Sequence, residues 1–102
     1  MNQFPNATWL SERFIRREKS TYSVGHKINH LCDGILIFPD DRQVAIEVEL
    51  TMKTKERIKE IIMGYVLHSR IKEVWYYCSP ETINRVRRAA DKWGHVKVYG
   101  LS

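Results

Sequence analysis

Cysteine is scarce in this chain: Cys32 and Cys78 are the only two. Two thiols build no disulfide framework, and a cytoplasmic protein with reduced thiols is the expectation. No run of about 18 apolar residues occurs, so no helix that spans a membrane is expected. The opening stretch, MNQFPNATWLSERF, lacks the basic-then-apolar order of a signal peptide. No internal repeat and no low-complexity tract interrupts the chain. Three prolines and five glycines are few, so turns have to be sought singly.

What is there fits one globular domain over residues 1–102. An apolar share of 43% is enough for a single core, and a charged share of 28% is ordinary for a folded protein. The formal charge is +5, and its placement says more than its size. Residues 1–30 and 81–102 each carry five Lys/Arg against two Asp/Glu, whereas residues 31–80 carry seven against eight. Basic flanks around an acidic centre suit a polyanion such as DNA. The plainer alternative is that the excess of Lys and Arg serves solubility.

The periodicities predict a helix from Trp9 to about Lys19, with Leu10 and Phe14 four apart and Glu12 paired to Arg16. A loop with a short strand near Tyr22–Val24 follows. A hairpin then joins a strand over Ile35–Phe38 to a strand over Val44–Leu50. Thr51 is expected to cap a helix reaching Ser69, with Ile58, Ile61, Ile62, Tyr65 and Val66 on its buried stripe. Gly64 inside that helix suggests close backbone packing. Val74–Cys78 reads as a strand, and Ser79-Pro80 as the start of a helix that Gly94 ends. His95–Leu101 alternates as a last strand. Helices between strands favour parallel neighbours, and the hairpin makes the sheet mixed. The fold class expected is α/β, a mixed sheet of 4–5 strands flanked by helices in two or three layers.

The chemistry-bearing stretch is VAIEVELTMK, residues 44–53. On a strand, Glu47 and Glu49 share a face, about 7 Å apart, opposite Val44, Ile46, Val48 and Leu50. A three-residue hairpin loop over Asp40–Arg42 sets Asp33 opposite Glu49, on the face of both glutamates. A two-residue loop sets it opposite Val48, on the apolar side, where an unpaired carboxylate is costly. Three close carboxylates perturb one another unless a cation sits among them, and oxygen donors suit Mg²⁺ or Mn²⁺. Lys53, at the start of the next helix, is within reach of a phosphate or a water. The alternative is an edge strand with its acids in solvent.

Other signals are weaker. His26, His30 and Cys32 form an H-x3-H-x-C string whose spacing fits no standard zinc finger. Arg85, Arg88 and Lys92 share one face of the last helix, and Arg13, Arg16 and Arg17 crowd the first. Either set is a phosphate-contacting surface or a solvated one.

The spacing of Asp33-Gly34 and Glu47-Val48-Glu49 resembles the PD-(D/E)XK nuclease superfamily. Its members carry an Asp on one strand and acid-x-Lys on the next. The resemblance implies a restriction-endonuclease-like α-β-β-β-α-β core. It also implies Asp33 and Glu47 as metal ligands, Glu12 as a supporting acid from the first helix, and Glu49 or Lys53 orienting the attacking water. Glu49 stands where the family usually has Lys, and Lys53 and Lys55 offer the amine from further on.

More narrowly, TWLSER (8–13), HLCDGILIF (30–38), IEVELTMKTKERI (46–58), Tyr65 and VWYYCS (74–79) resemble the C-terminal region of replication-relaxation proteins of plasmids and integrative elements. That resemblance implies DNA and replication or mobilisation proteins as partners, and often a winged-helix domain ahead of this region. A homodimer is expected if both DNA strands are cut. Two further readings remain: a non-catalytic DNA- or protein-binding module of the same fold, and an adaptor without nucleic acid.

Overall fold

The computed structural model describes residues 6–25 and 30–101. Nine elements follow in order: β1 (Thr8–Ser11), α1 (Glu12–Arg17), α2 (Lys19–Tyr22), β2 (Gly34–Ile37), β3 (Gln43–Glu49), α3 (Lys55–Leu67), β4 (Ile71–Cys78), α4 (Ile83–Ala90) and β5 (Val96–Gly100). The five strands form one mixed sheet in the order β1-β2-β3-β4-β5. The first three are antiparallel, and β3, β4 and β5 run parallel. The α/β class and the hairpin stand as the sequence implies. The third antiparallel strand is β1, which lies ahead of the first helix.

The predicted helix at 9–19 is divided. Trp9 to Ser11 pair with β2, and Ser11 then caps α1 by accepting the Phe14 N–H at 3.4 Å. Six residues complete α1 before a break at Glu18. The Glu12–Arg16 pair forms as expected, at 2.9 Å on the solvent side. Instead of a strand at Tyr22–Val24 there is α2, followed by an isolated bridge between Val24 and His30.

The hairpin loop is Pro39–Asp41, one residue earlier than predicted. Phe38 pairs with Arg42, its N–H donating to the Arg42 carbonyl at 2.9 Å. Asp41 adopts φ 69°, the left-handed position of a three-residue hairpin loop. The Asp40 carboxylate accepts the Arg42 N–H at 3.1 Å, which fixes the turn locally.

Thr54, not Thr51, caps α3, accepting the Arg57 N–H at 3.1 Å. Residues 50–54 are therefore loop, and Lys53 lies ahead of the helix. Ile58, Ile61, Ile62 and Tyr65 are buried as predicted, but Val66 is exposed. Gly64 does mark a close approach: a Cβ there would lie 2.6 Å from the Gly25 nitrogen. α4 starts at Ile83 after a turn over 79–82 and ends at Ala90, ahead of Gly94.

Which face of the sheet is covered differs from expectation. Ile15, Tyr22, Ile58, Ile61, Ile62, Tyr65, Val86 and Ala89 all join one cluster with Ile35, Ala45, Val74 and Tyr76. All four helices thus lie on the Ala45–Glu47–Glu49 face of β3. The cause is topological. Both crossovers, β3-α3-β4 and β4-α4-β5, step the same way across the sheet, and right-handed crossovers then put both helices on one side. The opposite face carries a smaller cluster of Val44, Ile46 and Trp75, with Leu36, Phe38 and Tyr77 against it and no helical residue among its members.

Candidate functional site

Glu47 and Glu49 are each only 3% exposed, on the central strand and under the helical layer. An edge strand with solvated acids is therefore not what forms. Burial without compensation is costly for a carboxylate, and each glutamate has a different compensation.

The Glu47 carboxylate accepts the Tyr65 hydroxyl from α3, and His30 Nε2 lies 2.7 Å from the same Oε2. Burial raises its pKa above the ordinary carboxylate value, and the nearby Asp33 charge adds to this, while His30 and Tyr65 work the other way. Glu49 is ion-paired with the Lys53 ammonium. Its carbonyl accepts from the Ser79 N–H at 3.0 Å and from the Thr82 hydroxyl at 2.8 Å, so the end of β3 is tied to the turn before α4.

Asp33 sits just ahead of β2, exposed, one step from the Gly34–Ile46 pair of the register, so the strand continues it opposite Glu47 rather than Glu49. Its N–H donates to the Ile46 carbonyl at 3.0 Å, and its Oδ2 accepts the Val48 N–H at 2.7 Å. The odd loop length, one of the two alternatives the sequence offers, keeps Asp33 on the face of Glu47. The strand partner shifts by two residues because the turn is one residue earlier.

Tyr76 lies beside Glu47 in the parallel register with β4. Its hydroxyl is buried and has no hydrogen-bond partner among the described residues. Burial pushes its pKa well up, and the Glu47 and Glu49 charges push it further. A buried hydroxyl within the field of both acids, with its own hydrogen-bonding capacity unused, is the exception in a folded protein. Sequence reasoning did not single out Tyr76 or the Tyr65 hydroxyl. Tyr76 is placed by the β3–β4 register and Tyr65 by the docking of α3 on the sheet, and no local pattern encodes either.

The remaining expected residues divide between rim and periphery. Arg85 reaches back from α4 and donates to the Lys53 carbonyl at 2.9 Å, which places a guanidinium beside the Glu49–Lys53 pair. Arg88 and Lys92 are exposed on the same part of the chain. Glu12 gives its carboxylate to Arg16 in solvent, and Arg13 and Arg17 are exposed beside it. Cys32 is buried, and burial, then Glu47, pushes its thiol up to about 12, an inert thiol rather than a nucleophile. His26 of the H-x3-H-x-C string lies outside the described residues.

Asp33, Glu47 and Glu49 each offer hard oxygens, the chemistry that Mg²⁺ and Mn²⁺ select. The unpartnered Tyr76 hydroxyl adds a further oxygen nearby. Among the described residues, no three of His, Cys, Asp and Glu are grouped so as to hold a metal ion, and Tyr65, His30 and Lys53 occupy the acids instead. Among the described residues, too, no helix is long and apolar enough to cross a membrane. No family model matches the chain, and neither the curated proteins nor the solved structures contain a match to it.

Proposed function

We propose that this domain acts on DNA, with Asp33, Glu47 and Glu49 as ligands for one Mg²⁺ or Mn²⁺ and phosphodiester hydrolysis as the reaction. The observation that carries the reading is the pair of buried glutamates on the central strand, with Asp33 one step ahead of β2 opposite Glu47, Lys53 against Glu49 and Tyr76, its hydroxyl unpartnered among the described residues, beside Glu47 on β4. A divalent ion in such a site supplies a polarised phosphodiester oxygen and a water of lowered pKa. The chain's own part is positioning. Lys53 pairs with the buried Glu49 carboxylate and sets an ammonium where a phosphate oxygen would arrive. Arg85 braces the 50–54 loop through the Lys53 carbonyl, and its charge, with Arg88 and Lys92, faces a DNA backbone. Arg13 and Arg17 extend the basic surface on α1, and Glu12 would act only after leaving Arg16. The setting would be cytoplasmic replication or mobilisation of a plasmid or mobile element, with a homodimer where both strands are cut.

A second reading has its own support. Tyr65, His30 and Lys53 already satisfy the two glutamates, so the fold holds together without any ion. On that reading the domain is a non-catalytic DNA- or protein-binding module. Thermal unfolding in rising Mn²⁺ separates the two. The catalytic reading expects wild type to gain about 2.7 kcal/mol at a hundredfold excess over Kd, and Asp33→Ala to gain nothing. It also expects supercoiled plasmid to be nicked by wild type alone. Equal melting curves and intact plasmid, with salt-sensitive DNA retention, would leave the binding module.

A further inference from the structure

The face of the sheet opposite the helices has a composition that the metal-site reading does not use. Across the three parallel strands, Val48, Tyr77 and Tyr99 stand in one row, and Ile46, Trp75 and Lys97 in the next. Tyr77 and Tyr99 stack, with ring centroids 5.2 Å apart at 25°. Tyr99 is 40% exposed. On the far side of this face Trp9 is 52% exposed, its indole close against Gly34, where a Cβ would fall 1.9 Å from the ring. Aromatic rings are therefore presented to solvent at both edges of the face.

The charges on the face have one sign outward. Its acid, Glu73, has a side chain only 17% exposed, and both carboxylate oxygens are engaged. Arg42 lies 3.5 Å from one, Lys97 lies 3.4 Å from the other, and the Trp75 indole N–H donates to that second oxygen. Arg42 and Lys97 are exposed and lie over aromatic rings, Arg42 at 4.4 Å from the Phe38 centroid and Lys97 at 5.8 Å from the Trp75 centroid. The half-buried acid ties the two cations to the aromatic sheet. What such a surface complements is a flat, ring-bearing, negatively charged chain.

We propose that this face binds single-stranded DNA, with bases stacking on Tyr99, Tyr77 and Trp9 and phosphates meeting Arg42 and Lys97. Stacking platforms on sheets with flanking cations take single strands because unpaired bases offer their faces, which a duplex does not. The inference rests on the reading that DNA is the partner, and it places the single strand on the side of the sheet away from the acids. It is independent of whether any bond is cut.

The test uses a labelled oligothymidine of about 12 nucleotides, in EDTA, followed by fluorescence anisotropy. Wild type is expected to bind, and to bind more weakly as salt rises. Tyr99→Ala and Trp9→Ala should each weaken binding about 5- to 150-fold, the size of one lost stacking partner, while Tyr99→Phe and Trp9→Phe retain it. Arg42→Ala and Lys97→Ala should each flatten the salt dependence. Melting curves establish that each variant is folded, and Tyr99, at the surface of a C-terminal strand, is the safer truncation.

Absence of binding, alanine variants that bind like wild type, or equal affinity for duplex DNA would overturn the proposal. So would tighter binding of the matching RNA. A shift from dimer to monomer on Tyr99→Ala, with no change in affinity, would assign the face to a second copy and also end it. Asp33→Ala should bind the oligonucleotide unchanged. Retained binding without metal-dependent cleavage removes the hydrolytic reading and leaves this one standing, whereas cleavage without aromatic-dependent binding does the reverse.

Discussion

Glu47 is the residue at which burial and function pull against each other. Its folded-state pKa lies above the unfolded one, raised first by burial. The sign follows from linkage: the contribution to stability is fully present below the unfolded carboxylate value of about 4.3 and is lost as pH rises through the higher folded value. Glu47→Gln, which keeps the shape and an acceptor for Tyr65, should therefore be more stable than wild type at pH 7. The advantage should shrink toward pH 4, as urea denaturation at the two pH values would measure. The same substitution should remove any Mn²⁺-dependent stabilisation. Asp41 makes a second residue-scale case, because φ 69° strains a side chain with a Cβ. Asp41→Gly should be neutral or stabilise by less than about 1 kcal/mol, and Asp41→Val should cost about 1–2 kcal/mol, read as shifts in the urea midpoint.

Elements here are placed by small contacts at their ends and crossings. Thr54 caps α3, so the stretch from Leu50 to Thr54 is freed from the helix and Lys53 can fold back on Glu49. Gly64 lets the middle of α3 approach the backbone at Gly25. Gly64→Ala would gain about 1 kcal/mol of helix propensity but would force that backbone aside, an overpacking that costs about 1–3 kcal/mol. A net loss on the order of 1 kcal/mol is expected from this balance. Gly94→Ala is the control, since nothing lies within 4 Å of its added methyl, and it should change stability by well under 1 kcal/mol. The same outcome for both variants would contradict the close crossing. At this scale the sequence was legible where signals are local. The Ile58–Tyr65 part of the stripe and the β-prone VWYYC run form, and so does the hairpin predicted over Ile35–Phe38 and Val44–Leu50, as Gly34–Ile37 and Gln43–Glu49. The Trp9–Lys19 helix was misread because three of its residues complete a sheet edge, a pairing partner that lies more than 20 residues away.

The whole molecule is one sheet with a helical layer on one side and an aromatic, cation-tipped surface on the other. Both apolar clusters share the same strands, Trp75 in the smaller and Trp93 against the larger. A domain of this size should therefore unfold in a single transition, with urea curves from far-ultraviolet circular dichroism and tryptophan fluorescence coinciding. A separate fluorescence phase would show that the aromatic face melts independently of the helices.

Local pattern alone determined that this chain is a mixed α/β domain and that Glu47 and Glu49 point the same way, and it named the odd hairpin loop as the arrangement that would bring Asp33 toward them. These follow from the two-residue period of a strand and from turn chemistry, both of which act over a few residues. Only the tertiary structure decided that the acids' side is the one beneath the helices, that Tyr76 stands beside Glu47 with an unused hydroxyl, and that Trp9, Tyr77 and Tyr99 share the outer face. A strand's alternation names two faces without saying which is covered. That choice belongs to strand order and crossover hand, which join residues far apart in the chain.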